Sequence, residues 1–160
     1  MTKDAKFEDG GEAPLNIGAL DSEDLTVISA MVQDAVLPIG EISWQANLRR
    51  LALLINRFRW EEALGEPKRA PKTRIRSLLA FDGVLAVKTR GVSRADPDLV
   101  YSILNIEFEP NPEPPGGIVR LHFAGDGELA LEVEVLDATL LDSDYEWTTR
   151  RMPEHERRRR

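Results

Sequence analysis

The sequence predicts an α+β domain that is mainly antiparallel β, with about seven strands in hairpins. The sheet is expected to curl or to close partly into a roll or barrel, with one N-terminal helix packed on it. Three observations carry this. Apolar and polar residues alternate with period two in several runs between Ile42 and Ala138. Turn residues separate those runs. One stretch, Leu25 to Val32, carries instead a stripe of helical period.

In chain order, residues 1–14 are polar, glycine-containing and aperiodic, which predicts disorder. Leu15 to Leu20 has the length of a short strand. Asp21 is a candidate helix N-cap with Asp24 three residues on, and Leu20 and Leu25 are spaced as a hydrophobic staple. Leu25, Ile28, Met31 and Val32 form the apolar stripe, and Pro38 and Gly40 prevent a long continuation. A hairpin follows, with Ile42 opposite Leu53 and Trp44 opposite Leu51 across a loop at Ala46 to Arg49. Its second strand runs from Arg50 to about Trp60. Residues 61–72 are a charged, proline-bearing loop.

Asp82-Gly83 is a type I′ turn signal. It predicts a hairpin pairing Phe81 with Val84, Leu79 with Ala86 and Leu78 with Val87. Both faces are apolar near that turn, so the helix is expected to cover it. A strand from Ser102 to Phe108 and the loop NPEPPGG lead to the central hairpin, GGIVRLHFAGDGELALEVEVLDA. Matching apolar faces sets Phe123 opposite Leu129, Leu121 opposite Leu131 and Val119 opposite Val133, with Gly127 at positive φ. The same matching sets Phe108 near Val119, Ile106 near Leu121 and Leu104 near Phe123. It gives the outer face a row Glu107, Arg120, Glu132. After Ala138 the chain reads as a polar stretch with Tyr145 and Trp147. The domain prediction is therefore a disordered segment at 1–14, one globular domain at 15–147 and an untied basic tail at 148–160. A pleckstrin-homology-like barrel is the alternative architecture, but it would need its helix at the C-terminus.

Hydrophobic residues make up 42% of the 160-residue chain and charged residues 31%, an ordinary globular balance. No apolar run approaches the about 18 residues of a membrane helix, and the N-terminus lacks a signal core. The absence of cysteine excludes thiolate chemistry. These features predict a cytoplasmic protein without membrane association. The formal charge of −7 is uneven: residues 150–160 hold six arginines and two glutamates, which leaves −11 for the rest. An acidic body disfavours nucleic acid as a partner, because it repels phosphates.

Phosphate-loop, G-x-S-x-G and H-E-x-x-H signatures are absent. No catalytic residue, metal site or cofactor is expected. His155 lies in the tail, and His122 falls on an outer strand face beside Asn105. Glu132 and Glu134 share a strand face but would need a further ligand such as Glu107 to hold a metal. The candidate site is basic. Arg57 and Arg59 end one strand, Arg74 and Arg76 begin the next, and Lys88 and Arg90 follow the Asp82-Gly83 turn. If their faces coincide they form an anion-binding patch, since guanidinium groups grip carboxylate or phosphate as forks. Trp60 would add a stacking surface.

Three segments, LDSEDLTVISAMVQDAV with its hairpin into LALLINRFRWEE, RIRSLLAFDGVLAVKTRGVSRADPD, and PGGIVRLHFAGDGELALEVEVLDA, together resemble the alphaproteobacterial family called domain of unknown function 2948. The resemblance covers roughly residues 15–147. It implies a small bacterial cytoplasmic protein without assigned activity or assigned residues. The arginine-rich tail lies outside it.

The first functional expectation is a non-catalytic binding or protein-interaction domain, whose edge strands accept a protein partner. The alternatives are a small-anion (metabolite) binding protein or small enzyme using the arginine patch, and weak nucleic-acid binding through the tail.

Overall fold

The alternating runs become strands of a single open sheet in the computed structural model, which describes residues 14–63 and 73–143. In chain order these are β1 (Asn16–Ala19), helix α1 (Ser22–Met31), β2 (Val36–Pro38), β3 (Ile42–Gln45), β4 (Arg50–Phe58), β5 (Arg74–Asp82), β6 (Val84–Arg90), β7 (Val100–Pro110), β8 (Gly117–Phe123), β9 (Glu128–Val133) and β10 (Ala138–Asp142). The sheet has ten strands in the order β1-β10-β5-β4-β2-β7-β8-β9-β6, with β3 paired to β4 beside that path. Every pairing is antiparallel. The sheet is not closed, since β1 and β6 stand at its two ends. A closed pleckstrin-homology-like barrel is therefore not formed.

Helix α1 starts where its sequence says. The Asp21 side chain accepts the Asp24 N–H at 2.8 Å, and Leu25, Ile28 and Val32 are buried. Leu20 is 70% exposed, so the expected staple buries little. The helix does not cover the Asp82-Gly83 turn. It lies against β7 and β1, where the Ile106 N–H donates to Ser29 Oγ at 2.9 Å. Just beyond it, Trp60 Nε1 donates to the Gln33 carbonyl at 2.9 Å. Its apolar stripe joins Leu53, Leu79, Leu121, Leu131 and Leu140 in one core, drawn from both halves of the sheet.

The β3–β4 hairpin has the expected register, Ile42 to Leu53 and Trp44 to Leu51, and Arg49 closes the loop in the left-handed region. The expected β5–β6 hairpin does not form. Gly83 does take positive φ, at 70°. However, β4 and β10 occupy the two edges of β5, so β6 has no edge to join there. The chain instead crosses from one half of the sheet to the other, and β6 pairs with β9.

The central hairpin keeps its faces but shifts its register by two residues: Leu121 faces Leu129 and Val119 faces Leu131. The loop is Ala124 to Asp126, closed by the Phe123 N–H to the Gly127 carbonyl at 2.8 Å. Positive φ falls at Gly125 and Asp126, not at Gly127. A side chain at Gly127 would instead meet the Gly91 carbonyl at 3.1 Å and Val92 at 3.2 Å, so close approach is what requires glycine there. Between β7 and β8, Phe108 faces Val119 and Ile106 faces Leu121 as expected. An irregularity at Leu104 breaks the run, so Ile103 takes the place opposite Phe123 and Leu104 is left exposed.

Two strands were illegible as strands. β2 is short and ends on a proline. The stretch after Ala138 reads as polar, yet in β10 Ala138, Leu140 and Asp142 are buried while Thr139 and Leu141 are not. The expectations for residues 1–13, for most of the 61–72 loop and for the tail lie outside the described residues.

Candidate functional site

Arg57 is wholly buried at the end of β4. Its Nε and Nη2 donate to the two Asp142 oxygens at 3.0 and 2.8 Å, and its Nη1 and Nη2 donate to the two Glu61 oxygens at 3.0 and 2.8 Å. Nη1 also donates to the Phe58 carbonyl at 2.9 Å. All five guanidinium N–H groups are thus used. Asp142 additionally accepts from Ser77 Oγ at 2.6 Å and from the Leu15 N–H at 2.9 Å. Burial works to lower the Arg57 pKa, but its hydrogen bonds to Glu61 and Asp142, together with their charges, overcome it and hold the pKa above its ordinary value. Arg57 is a structural cation with nothing left to offer a ligand.

The remaining candidates do not gather around it. Arg57 faces Ile75 across the β4–β5 ladder and Phe58 faces Arg74, which puts Arg74 and Arg76 on the sheet face opposite Arg57. Arg59 continues on the Arg57 side and is partly buried; its N–H donates to the Thr73 carbonyl at 3.0 Å. Arg74 lies over the Phe58 ring, 3.9 Å from the centroid, and donates to the Asn56 carbonyl at 3.2 Å. Arg76 sits opposite Asn56 and lines a shallow groove with Leu54, Leu78 and Leu141. Lys88 and Arg90 are carried away on β6 to the other end of the sheet order. The hairpin that would have united them with Arg74 and Arg76 does not exist.

The polar constellation that does converge is on the outer face of β7, β8, β9 and β6. The registers align Asn105, His122, Glu128 and Arg90 in one row across these strands. The next row is Glu107, Arg120, Ala130 and Lys88, so Arg120 faces Ala130 and not Glu132. The rows are stitched diagonally. His122 Nε2 lies 2.6 Å from Glu107 Oε1, and Nδ1 lies 3.5 Å from Glu128 Oε1. Glu128, with a side chain only 11% exposed, accepts from Arg120 at 2.9 Å and from Arg90 at 3.2 Å. Arg120 also reaches Glu109 at 3.2 Å. Its pKa is raised, chiefly by the hydrogen bond to Glu109.

A cleft of about 590 Å³ opens on this face, lined by Arg90, Leu104, Asn105, Glu107, His122 and Asp126 among others. The irregularity at Leu104 and the β8–β9 loop form its walls. Both imidazole nitrogens of His122 face carboxylates, so neither is directed at a substrate proton. Among the described residues, no serine, threonine, tyrosine or lysine lines the cleft. Sequence reasoning placed His122 beside Asn105 but missed Glu128 and Asp126 as site residues. The signal existed in the loop AGDGE, whose charged residues flank the turn. Glu61 and Asp142 were missed as well, for want of any local signal linking them to Arg57.

Fold and site define an α+β domain built on one open antiparallel sheet with a polar outer face. The chain belongs to the family described as protein of unknown function (DUF2948), whose model matches residues 15–155. No curated protein and no solved structure matches it. Among the described residues no helix is long and apolar enough to cross a membrane, and no cluster of three or more acidic or histidine side chains is placed to hold a metal.

Proposed function

We propose that this protein is a binding domain that docks an extended segment of a protein partner along β6. The observation that supports it is the place of β6 at one end of the sheet: among the described residues it pairs as a strand only with β9, and beyond Val84 its other edge has no strand partner. The strand is chemically polarised. At one end Leu85 is exposed, and two links bring other exposed apolar side chains near it. The Val84 N–H donates to the Arg49 carbonyl at 2.9 Å, next to Leu48, and the Glu134 N–H donates to the Gly83 carbonyl at 3.0 Å, next to Val135. At the other end are Lys88 and Arg90, both exposed. Charged edges discourage indiscriminate pairing. A cationic edge on an acidic protein selects a partner strand that is apolar at one end and acidic at the other.

A photo-crosslinking side chain placed at Leu85 should capture a discrete protein in cells. The same group at Val27, exposed on α1, should not. Lys88→Glu should abolish capture while leaving the thermal melt unchanged. Equal capture from both positions, or capture indifferent to Lys88→Glu, would overturn the reading.

A further inference from the structure

We infer that the cleft on the outer face of β7 and β8 is a separate binding site for a small zwitterion, a molecule carrying one cationic and one anionic group. Three features point to this. First, the lining has both signs on different walls. Glu107 and Asp126 supply carboxylates from β7 and the β8–β9 loop, and Arg90 supplies a guanidinium from β6. A simple anion would meet Glu107 and Asp126, and a simple cation would meet Arg90. A ligand with both charges satisfies both walls.

Second, the groups have capacity to spare. Arg90 is 75% exposed and donates only through Nη2, to Glu128. That leaves N–H groups on a planar fork shaped for a carboxylate. Glu107 is 57% exposed and engages His122 through Oε1, which leaves Oε2 for an ammonium group. The Asn105 amide, in the same register row as Arg90, offers both a donor and an acceptor. Leu104, pushed outward by the irregularity in β7, provides an apolar wall for a short aliphatic stem.

Third, the charges are pinned at a defined separation. The Glu107 carboxylate is held by His122, and the Arg90 guanidinium is held by Glu128. The path from the Glu107 carboxylate to the Arg90 guanidinium runs through the His122 ring and Glu128, in contacts of 2.6, 3.5 and 3.2 Å, so the two charged groups are held apart by those two side chains. This suits a compact molecule whose charges are a few bonds apart. Glu128 lies between them, shared by Arg120, Arg90 and His122, and acts as a positioning residue that fixes both ends.

The test is a titration of the ¹⁵N-labelled full chain, followed by NMR. Glycine, β-alanine and γ-aminobutyrate step the charge separation, and acetate and ethylammonium at matched ionic strength are the single-charge controls. At least one zwitterion should shift the amides of Arg90, Asn105 and Gly127 at a concentration about tenfold below that needed with either control. Arg90→Gln and Glu107→Gln should each weaken that response about fivefold or more, and Arg50→Gln, which removes an exposed arginine outside the cleft, should not. Controls that shift the same amides at equal concentration would overturn the proposal. So would the absence of any shift at about 10 mM, or a response unchanged in both cleft variants. Arg90 is common to both surfaces, but Glu107→Gln tests this site alone and the Leu85 crosslink with Lys88→Glu tests the docking edge alone, so the two readings fail separately.

Discussion

Replacing Arg57 by methionine should be among the most destabilising single changes available in this protein. The side chain is fully buried, and the Glu61 and Asp142 side chains that it bridges are each only 1% exposed. Methionine fills much of the volume but leaves two carboxylates facing each other without the cation. Breaking a buried ion pair by removing one partner costs about 3–5 kcal/mol. For a chain of this size each kcal/mol moves Tm by about 2–4 °C, so the melt should fall by roughly 6–20 °C. Urea unfolding followed by tryptophan fluorescence would measure the same loss as a lower midpoint at unchanged slope. The triple variant Arg57→Met, Glu61→Leu, Asp142→Leu is the critical comparison. It removes all three charges together, and apolar replacement of a whole buried ion cluster is commonly near neutral. Its stability should recover most of the single variant's loss, a coupling of several kcal/mol that additivity forbids. A single variant that loses less than about 1 kcal/mol, or a triple variant no better than the single one, would refute the account of the cluster.

Two further predictions test the local architecture. Gly117→Ala would place a methyl 2.5 Å from the Glu109 carbonyl oxygen and 2.7 Å from the Phe108 ring. Overpacking of this kind costs about 1–3 kcal/mol, and an unchanged melting temperature would contradict the β7–β8 register. Asp21→Ala should cost about 1 kcal/mol and Asp21→Asn only a few tenths, because asparagine can still accept the Asp24 N–H. Equal losses from both would mean that the cap is not what the aspartate contributes.

Much of the fold was legible because it is local. The Asp21 cap, the stripe through Leu25, Ile28 and Val32, and the β3–β4 register depend on residues close in sequence, and each stands where the pattern put it. The candidate site was not legible. Arg57 reads as a surface cation in a charged segment until Asp142 is brought beside it from 85 residues away. The row Asn105, His122, Glu128, Arg90 requires β6 to lie beside β9, which no turn signal announces. The strongest turn signal in the chain, Asp82-Gly83, pointed elsewhere. Gly83 takes the positive φ but Asp82 does not, so the type I′ turn is not formed, and the strand partners differ because both edges of β5 were already taken.

By itself, then, the sequence determined the inward-facing set of the helix and of the central hairpin, where the helix begins and where the chain can turn. Side-chain alternation and capping are decided by the nearest few residues, and those are written in order. Only the tertiary structure decided which strands are neighbours and which pairs lie opposite. The central hairpin shows why. A slip of one residue would turn Leu121 and Leu131 to water, so the pattern forbids it. A slip of two returns every side chain to its own face, so the pattern allows it, and Leu121 ends opposite Leu129. Choosing among such registers, and among free strand edges, is a competition between distant segments for one core.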